Sequence, residues 1–347
     1  MEGWHAGLTM SINILLLSQQ DILSLNLSRE DVLEAVRVAM REHAAKTYEM
    51  HPKIGVHPTG TDPDNFIHAM PAYLKSKGVC GLKWVAGYAK NPSLGLPNVT
   101  GIQVCNDVDT GLPLAVMDCA YLTGLRTAAV STVIASACAR PNAEVLALCG
   151  CGFQGGLHLE FLLGALPAVS GVRLFDARRS SAEALAVRAR SFFGGEIEVC
   201  DHAESCIRGA GVISTCTNGD EQIIKPEWFS AGSFGVGIEG GCAYTQEALH
   251  QADKFIVDDI PLAEYFQKIS IGRLNDRGEE NPEFAGGIPP VYATIGEIVA
   301  GLKPGRENDH ERIIAIPIGM AICDIALGAL VYQRAREKEI GQDFRLS

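Results

Sequence analysis

What the chain lacks narrows its class before any motif is read. No apolar run approaches the roughly 18 residues that a membrane helix needs. The short apolar stretch 10–17 has no basic segment before it, so it reads as a first strand and not as a secretion signal. Lysine and arginine are the scarcer charged residues, 29 against 41 Asp and Glu for a net charge of −12, and they do not cluster. That balance argues against a nucleic-acid surface, which needs grouped cations against phosphates. Internal repeats and low-complexity segments are missing. So is metal-type cysteine spacing: the cysteines number 11, an odd count, and Cys149 and Cys151 fall inside a glycine turn, where small buried residues are the simpler reading. Thiols scattered in this way point to a reducing compartment, the cytoplasm, and to no metal centre.

What is present is an ordinary globular composition, 47% hydrophobic and 20% charged over 347 residues, enough for two domains with sizeable cores. The stretch 145–163 carries the strongest signal. An apolar run, 145–148, enters a turn holding Gly150, Gly152 and Gly155, and the chain then takes helical periodicity through Leu157, Phe161 and Leu162. Strand, glycine turn and helix in this order form a dinucleotide fingerprint. Gly150 permits the tight turn, Gly152 lets the backbone approach a pyrophosphate, Gly155 lets the helix lie close on the strand, and the helix amides face the phosphates. A second apolar run, 172–175, ends in Asp176, where a carboxylate would hold a ribose 2′-hydroxyl. Asp176 favours NAD because it would repel a 2′-phosphate, whereas Arg178 and Arg179 just beyond it leave NADP open.

From residue 145 to about 259 strands and helices alternate, with strands expected at 145–148, 172–175, 198–200, 212–215, 233–238 and 254–257. This rhythm predicts an α/β fold with parallel pairing in a doubly wound sheet. Earlier in the chain, Ser28 opens a helix running to about Lys46, with Val32, Leu33, Val36, Ala39 and Met40 on its apolar face. Short β-like runs at 66–70, 79–85, 100–105 and 114–117, punctuated by Gly and Pro, predict an antiparallel or mixed sheet. Helices are expected over 125–139 and 319–337, and 269–290 reads as an irregular surface segment.

Two cations stand among apolar neighbours: Lys83 in Gly81-Leu-Lys-Trp-Val85, and Arg126 in Leu122-Thr-Gly-Leu-Arg-Thr-Ala-Ala129. Buried cations need anionic partners. A substrate carboxylate would meet that need, Arg126 by a forked contact and Lys83 as a point charge; ion pairs with the chain's own Asp and Glu would meet it equally. His68, beside Phe66 and Met70 on a β-like run, is open between a hydrogen-bonded structural residue and a catalyst. Asp324 reads as an anchor of the tail helix, and His158 and His250 as surface or interior filling.

The segments Ala69-Met-Pro-Ala-Tyr73, Gly81-Leu-Lys-Trp84, Lys90-Asn91, Leu114-Ala-Val-Met-Asp118, Leu122 to Ser131, Gly150-Cys-Gly-Phe-Gln154, Ile295-Gly-Glu-Ile-Val299, Lys303-Pro-Gly-Arg306 and Gly319-Met-Ala-Ile-Cys-Asp324 span nearly the whole chain. Through them it resembles the ornithine cyclodeaminase and mu-crystallin family, which also contains archaeal-type alanine dehydrogenases and ketimine reductases. The resemblance implies a homodimer. Residues 1–128 with 315–347 would form an α+β substrate-binding and dimerisation domain, and residues 129–314 an inserted NAD(P)-binding Rossmann domain. It implies that Lys53, Lys83 and Arg126 hold the substrate carboxylate under the nicotinamide, with Asn98 on the substrate side. Gly150, Gly152, Phe153, Gln154, Gly155, Asp176, Arg178, Thr127, Thr215, Val236 and Gly319 would attend the cofactor.

Two departures bear on the reaction. Ornithine cyclodeaminases carry a glutamate two residues before the Met-Pro pair, where this chain has His68. They also carry an aspartate after the fifth nucleotide-domain strand, where this chain reads Gly237-Ile-Glu-Gly-Gly-Cys242; Glu239 replaces it only if a short deletion shifts the loop. Without that acid, cyclisation lacks its proton shuttle. The expectation is therefore an NAD-dependent oxidoreductase, with NADP open, acting on the carbon–nitrogen bond of a small amino acid or its imine, with Lys83, Glu239 and His68 as catalytic candidates. The alternatives are a diamino-acid cyclodeaminase that recycles its NAD, and a mu-crystallin-like protein that holds a nucleotide and a small ligand with little turnover.

Overall fold

The computed structural model describes residues 11–58, 65–218, 222–239, 243–264 and 288–346. Most of the expected irregular segment 269–290 lies outside them, as do Met10 and Cys242. The chain divides into two compact units. One takes the chain up to Ser28, Tyr48–Thr123 and the chain from Asp324 onward; the other takes Arg29–Thr47 and Gly124–Cys323. Among the described residues no helix is long and apolar enough to cross a membrane.

The first unit is built on a mixed sheet of β1 (Asn13–Leu17), β2 (Tyr48–Met50), β3 (Ile54–Val56), β4 (Phe66–Leu74), β5 (Val79–Gly87), β6 (Val99–Asn106) and β7 (Pro113–Asp118), with a last strand Gln342–Arg345. Their order is Gln342–Arg345, β1, β7, β6, β5, β4, β2, and β3 also pairs with β4. Only β1 and β7 run parallel; the remaining pairs are antiparallel. Because side chains alternate along a strand, the register row Met70–Lys83–Gln103–Met117 lies on one face and Ile54–Ala69–Trp84–Ile102 on the other. The first row is buried. It is covered by the helix Ala321–Lys338, whose residues from Asp324 on belong to this unit: a Cβ on Gly81 would lie 3.2 Å from Ile325 Cδ1, and one on Gly328 would collide with Gln103 Nε2. The second row is open to solvent, with Trp84 43% and Ile102 46% exposed. Between Met50↔Ala72 and Ile54↔Ala69 the register slips by one residue. Pro52 and Pro71 sit at the slip, where a missing N–H is tolerated, and Lys53 emerges there.

Among the described residues the second unit holds eight parallel strands: β8 (Val145–Cys149), β9 (Gly171–Phe175), β10 (Glu196–Val199), β11 (Val212–Thr215), β12 (Phe234–Gly237), β13 (Lys254–Val257), β14 (Ala293–Thr294) and β15 (Ile313–Ile316). Their order, β10-β9-β8-β11-β12-β15-β13-β14, reverses direction at β8, as in a doubly wound dinucleotide fold. The expected Rossmann-type sheet is present, with β15 inserted between β12 and β13. The helix expected from residue 125 starts earlier, at Ala120. Gly124 reads locally as a break, yet it is used for a close crossing: a Cβ there would lie 2.6 Å from Phe153 Cε1 and 2.7 Å from Leu157 Cδ1.

Two of the family-like segments are braces. In Lys303-Pro-Gly-Arg306 the arginine donates to the carbonyls of Cys138, Asn308, Glu311 and Ser233, while Lys303 Nζ donates to the Tyr292 carbonyl at 2.6 Å. In Ile295-Gly-Glu-Ile-Val299, Thr294 and Glu297 form a capping box, and Gly296 lets the helix Arg29–Ala45 come so near that a Cβ would lie 2.7 Å from the Met40 carbonyl.

Candidate functional site

The glycine turn lies where β8 meets the helix Phe153–Ala165. Gly150 has φ +92, and a Cβ on it would sit 2.4 Å from the Cys216 carbonyl oxygen. At Gly155 a Cβ would fall 1.9 Å from the Gly150 carbonyl oxygen. At Gly152 it would meet nothing within 4 Å, and no side chain caps the helix that begins there. That is the geometry an approaching phosphate requires, with the first helical amides unclaimed by a cap. Asp176, just past β9, accepts from Cys151 N at 2.7 Å through one oxygen and from Arg178 N at 2.9 Å through the other. Its carboxylate therefore ties the glycine turn to the neighbouring strand. Buried Gln154 Oε1 and Thr217 Oγ1 find no hydrogen-bond partner among the described residues. Buried polar atoms in that state are costly, and two of them beside one glycine turn call for a polar ligand. The residues present fit a dinucleotide.

Arg178 is exposed at the N-cap of the helix Arg179–Ala189. Arg179 is committed to carboxylates, with Glu183 at 2.9 Å and Asp201 as a second partner. Thr215 ends β11, and Val236 is wholly buried within β12. Glu239 follows β12 and turns back over the strand ends: Thr215 Oγ1 donates to its Oε1 and Ile238 N to its Oε2 at 3.0 Å. Loss of water pushes this carboxyl up to about 7, against the pull of those hydrogen bonds.

Arg126 occupies the second turn of the helix Ala120–Cys138, with half-buried Thr127 beside it. It is 7% exposed, and a Cβ on Gly319 would lie 2.7 Å from its Nη1. His158, wholly buried, pairs with Ser131 Oγ at 3.0 Å and with the Gln154 carbonyl at 2.8 Å. Burial, aided by the charge of Arg126, lowers it to about 4, which makes it a neutral interior residue.

In the first unit Lys83 Nζ meets Asp324 Oδ1 at 2.8 Å, with side-chain exposures of 2% and 1%. Gln103 Nε2 donates to the Asp324 carbonyl at 2.9 Å, which fixes the helix turn that carries the acid. His68 stacks on Phe66 at 4.4 Å and stands edge-on to His57 at 5.9 Å. Burial first, then the charges of Lys53, His57 and Lys83, hold it at about 4, so its imidazole is neutral near pH 7. Asn98 is half-buried just before β6, its carbonyl accepting from Tyr88 N at 2.9 Å.

Of the two ways to satisfy a buried Lys83, the chain supplies one itself, through Asp324. From the sequence that aspartate reads as a helix anchor only, and Asp258, Gln103 and Thr217 carry no mark. A lone Asp or Thr after an apolar run has no periodicity that marks it. The single available signal was the doubled acid Asp258-Asp259 at the end of a strand.

The profile of the ornithine cyclodeaminase/mu-crystallin family matches residues 13–339. An alanine dehydrogenase of Archaeoglobus fulgidus is 32% identical over 335 residues, 95% of this chain and 98% of the relative. Among solved structures, an archaeal alanine dehydrogenase dimer with bound NAD superposes with a TM-score of 0.84 at 32% identity, covering 97% of this chain and 100% of the other. The Thermococcus litoralis Δ1-pyrroline-2-carboxylate reductase in complex with NADH and L-proline gives a TM-score of 0.82 at 25% identity, covering 95% and 99%.

Proposed function

The chain belongs to the ornithine cyclodeaminase/mu-crystallin family, and on that footing we propose that it is an NAD-dependent oxidoreductase acting between a small amino acid and its imine. The observation that carries this reading is the glycine turn, tied down by Asp176 and flanked by the unsatisfied Gln154 Oε1 and Thr217 Oγ1. Bound NADH would supply hydride from its nicotinamide to the substrate α-carbon. The residues of this chain bind and orient: Gly152 and the helix amides take the pyrophosphate, and Asp176 the adenosine ribose. The pairing of Arg179 with Glu183 and Asp201 removes one candidate for a 2′-phosphate and favours NAD over NADP. Following the resemblance, the substrate carboxylate falls to Lys53, Lys83 and Arg126, with Lys83 shared between that carboxylate and Asp324. A protonated imine is already electrophilic, so this direction needs no strong acid from the protein. The relatives named above, an alanine dehydrogenase and a reductase of a cyclic imino acid, support a carbon–nitrogen bond as the target.

The open row Ile54, Trp84 and Ile102 supports a homodimer, because a contiguous exposed apolar sheet face is an association surface. The scattered free thiols support a reducing compartment, the cytoplasm. A second reading, cyclodeamination of a diamino acid with NAD recycled, draws on one observation: the Glu239 carboxyl sits near 7, within range of proton shuttling. The test incubates the protein with NADH or NADPH and a panel of 2-oxo acids with ammonia or amines, alongside cyclic imino acids, and follows absorbance. Consumption of NADH with one member, lost in Lys83→Ala, is the expected result. Ammonia released from ornithine with no net NADH change would replace the first reading by the second.

A further inference from the structure

Arg126 rests against a backbone turn. A Cβ on Gly319 would lie 2.7 Å from its Nη1 and 3.3 Å from Nη2, so the guanidinium rests directly on the Gly319 backbone. Gly319 has φ +96, a left-handed conformation that glycine alone takes at little cost. The turn is held by Asp258, 1% exposed, whose Oδ2 accepts from Gly319 N at 2.6 Å while Oδ1 accepts from Asp259 N at 3.0 Å. Asp258 follows the end of β13 and Gly319 follows the end of β15, and these strands are paired up to Val257↔Ile316. The carboxylate thus bridges two adjacent strand ends of a rigid parallel sheet, at the edge where such sheets bind their ligands. The next residue serves a different purpose. Asp259 accepts from Leu262 N at 2.8 Å and pairs with His43 Nε2 at 3.0 Å, anchoring the helix Arg29–Ala45.

We propose that Asp258 is a positioning residue: by fixing the Gly319 turn it sets the guanidinium of Arg126 for an acid-bearing substrate. This rests on the assignment of Arg126 to the substrate carboxylate. A forked grip requires two N–H groups aligned at once, so a shift of the turn weakens binding of the acid more than binding of the nucleotide, which Gly319 meets only through its backbone.

The test compares Asp258→Ala, Asp258→Asn, Arg126→Ala, the double variant Asp258→Ala/Arg126→Ala, and Asp259→Asn in the full-length protein. Asp258→Ala raises KM for the acid substrate roughly tenfold or more and raises KM for NADH by a much smaller factor, because the fixed grip on the acid is what is lost. Asp258→Asn keeps an acceptor for the Gly319 amide and recovers most of that loss. The double variant is no worse than Arg126→Ala, since the two act through one contact. Asp259→Asn lowers the melting temperature without moving KM. Additive losses in the double variant, an unchanged KM in Asp258→Ala, or an equal rise in Asp259→Asn would overturn the proposal. Absence of turnover in the wild type refutes the functional reading only. In that event the crystal structure of Asp258→Ala decides the positioning role: a displaced Arg126 guanidinium supports it, and a guanidinium in place refutes it.

Discussion

Lys83 Nζ and Asp324 Oδ1 stand 2.8 Å apart with almost no solvent at either group, so the tail helix is joined to the sheet of the first unit by a buried ion pair. Removing one partner leaves an uncompensated charge in the interior. Asp324→Ala is therefore expected to destabilise the protein by about 3–5 kcal/mol, whereas the apolar double replacement Lys83→Met/Asp324→Leu recovers most of the loss. Urea unfolding of the three proteins measures this. A single variant as stable as the wild type would contradict the account of the pair.

Asp176 holds the glycine turn through its bond from Cys151 N, and the proposed reading gives it a second task toward the ribose. Asp176→Ser removes the repulsion of a 2′-phosphate and also loosens the turn. NADH binding should weaken by roughly tenfold, with the NADH-to-NADPH preference narrowing by more than that. Fluorescence titration with each nucleotide reads both effects, and an unchanged preference would rule out the ribose role.

His158 makes stability depend on acidity. Its pKa is lowered from 6.5 to about 4 in the folded protein, chiefly by burial. The unfolded chain therefore binds more protons than the folded one between these values. Stability is full above 6.5, falls as pH drops through the window, and levels off below about 4. The gap corresponds to about 3 kcal/mol. Urea midpoints measured across this range should show a shallower dependence in His158→Gln than in the wild type.

The exposed register row predicts the assembly. Trp84→Asp places a charge at the centre of the face shared with Ile54, Ala69 and Ile102, and should convert a dimer to a monomer in sedimentation analysis. A wild-type monomer would remove this role from the face.

Much of the fold was legible because its signals are local. The glycine turn, the alternation of strand and helix after residue 145, and the apolar face of the helix Arg29–Ala45 each declare themselves within a short window. What stayed hidden depends on distance or on weak patterning. β15 is a four-residue apolar run inserted between strands that precede it in the chain. The last strand, Gln342–Arg345, is exposed throughout and has no apolar alternation. In the site, the two cations stood out against their apolar neighbours, while the aspartates behind them did not. Asp258 and Gly319 are 61 residues apart, and only the folded chain brings them together.

The most direct test of the account is the NADH-dependent reduction of an imino acid, or of a 2-oxo acid with ammonia, by the wild type and by Lys83→Ala and Arg126→Ala. The expected result is turnover in the wild type, with kcat/KM, referred to folded protein, lowered by roughly a hundredfold or more in each variant and NADH affinity retained, as follows when a charged grip on the substrate is lost. Variants that turn over the same substrate at the wild-type rate would contradict it.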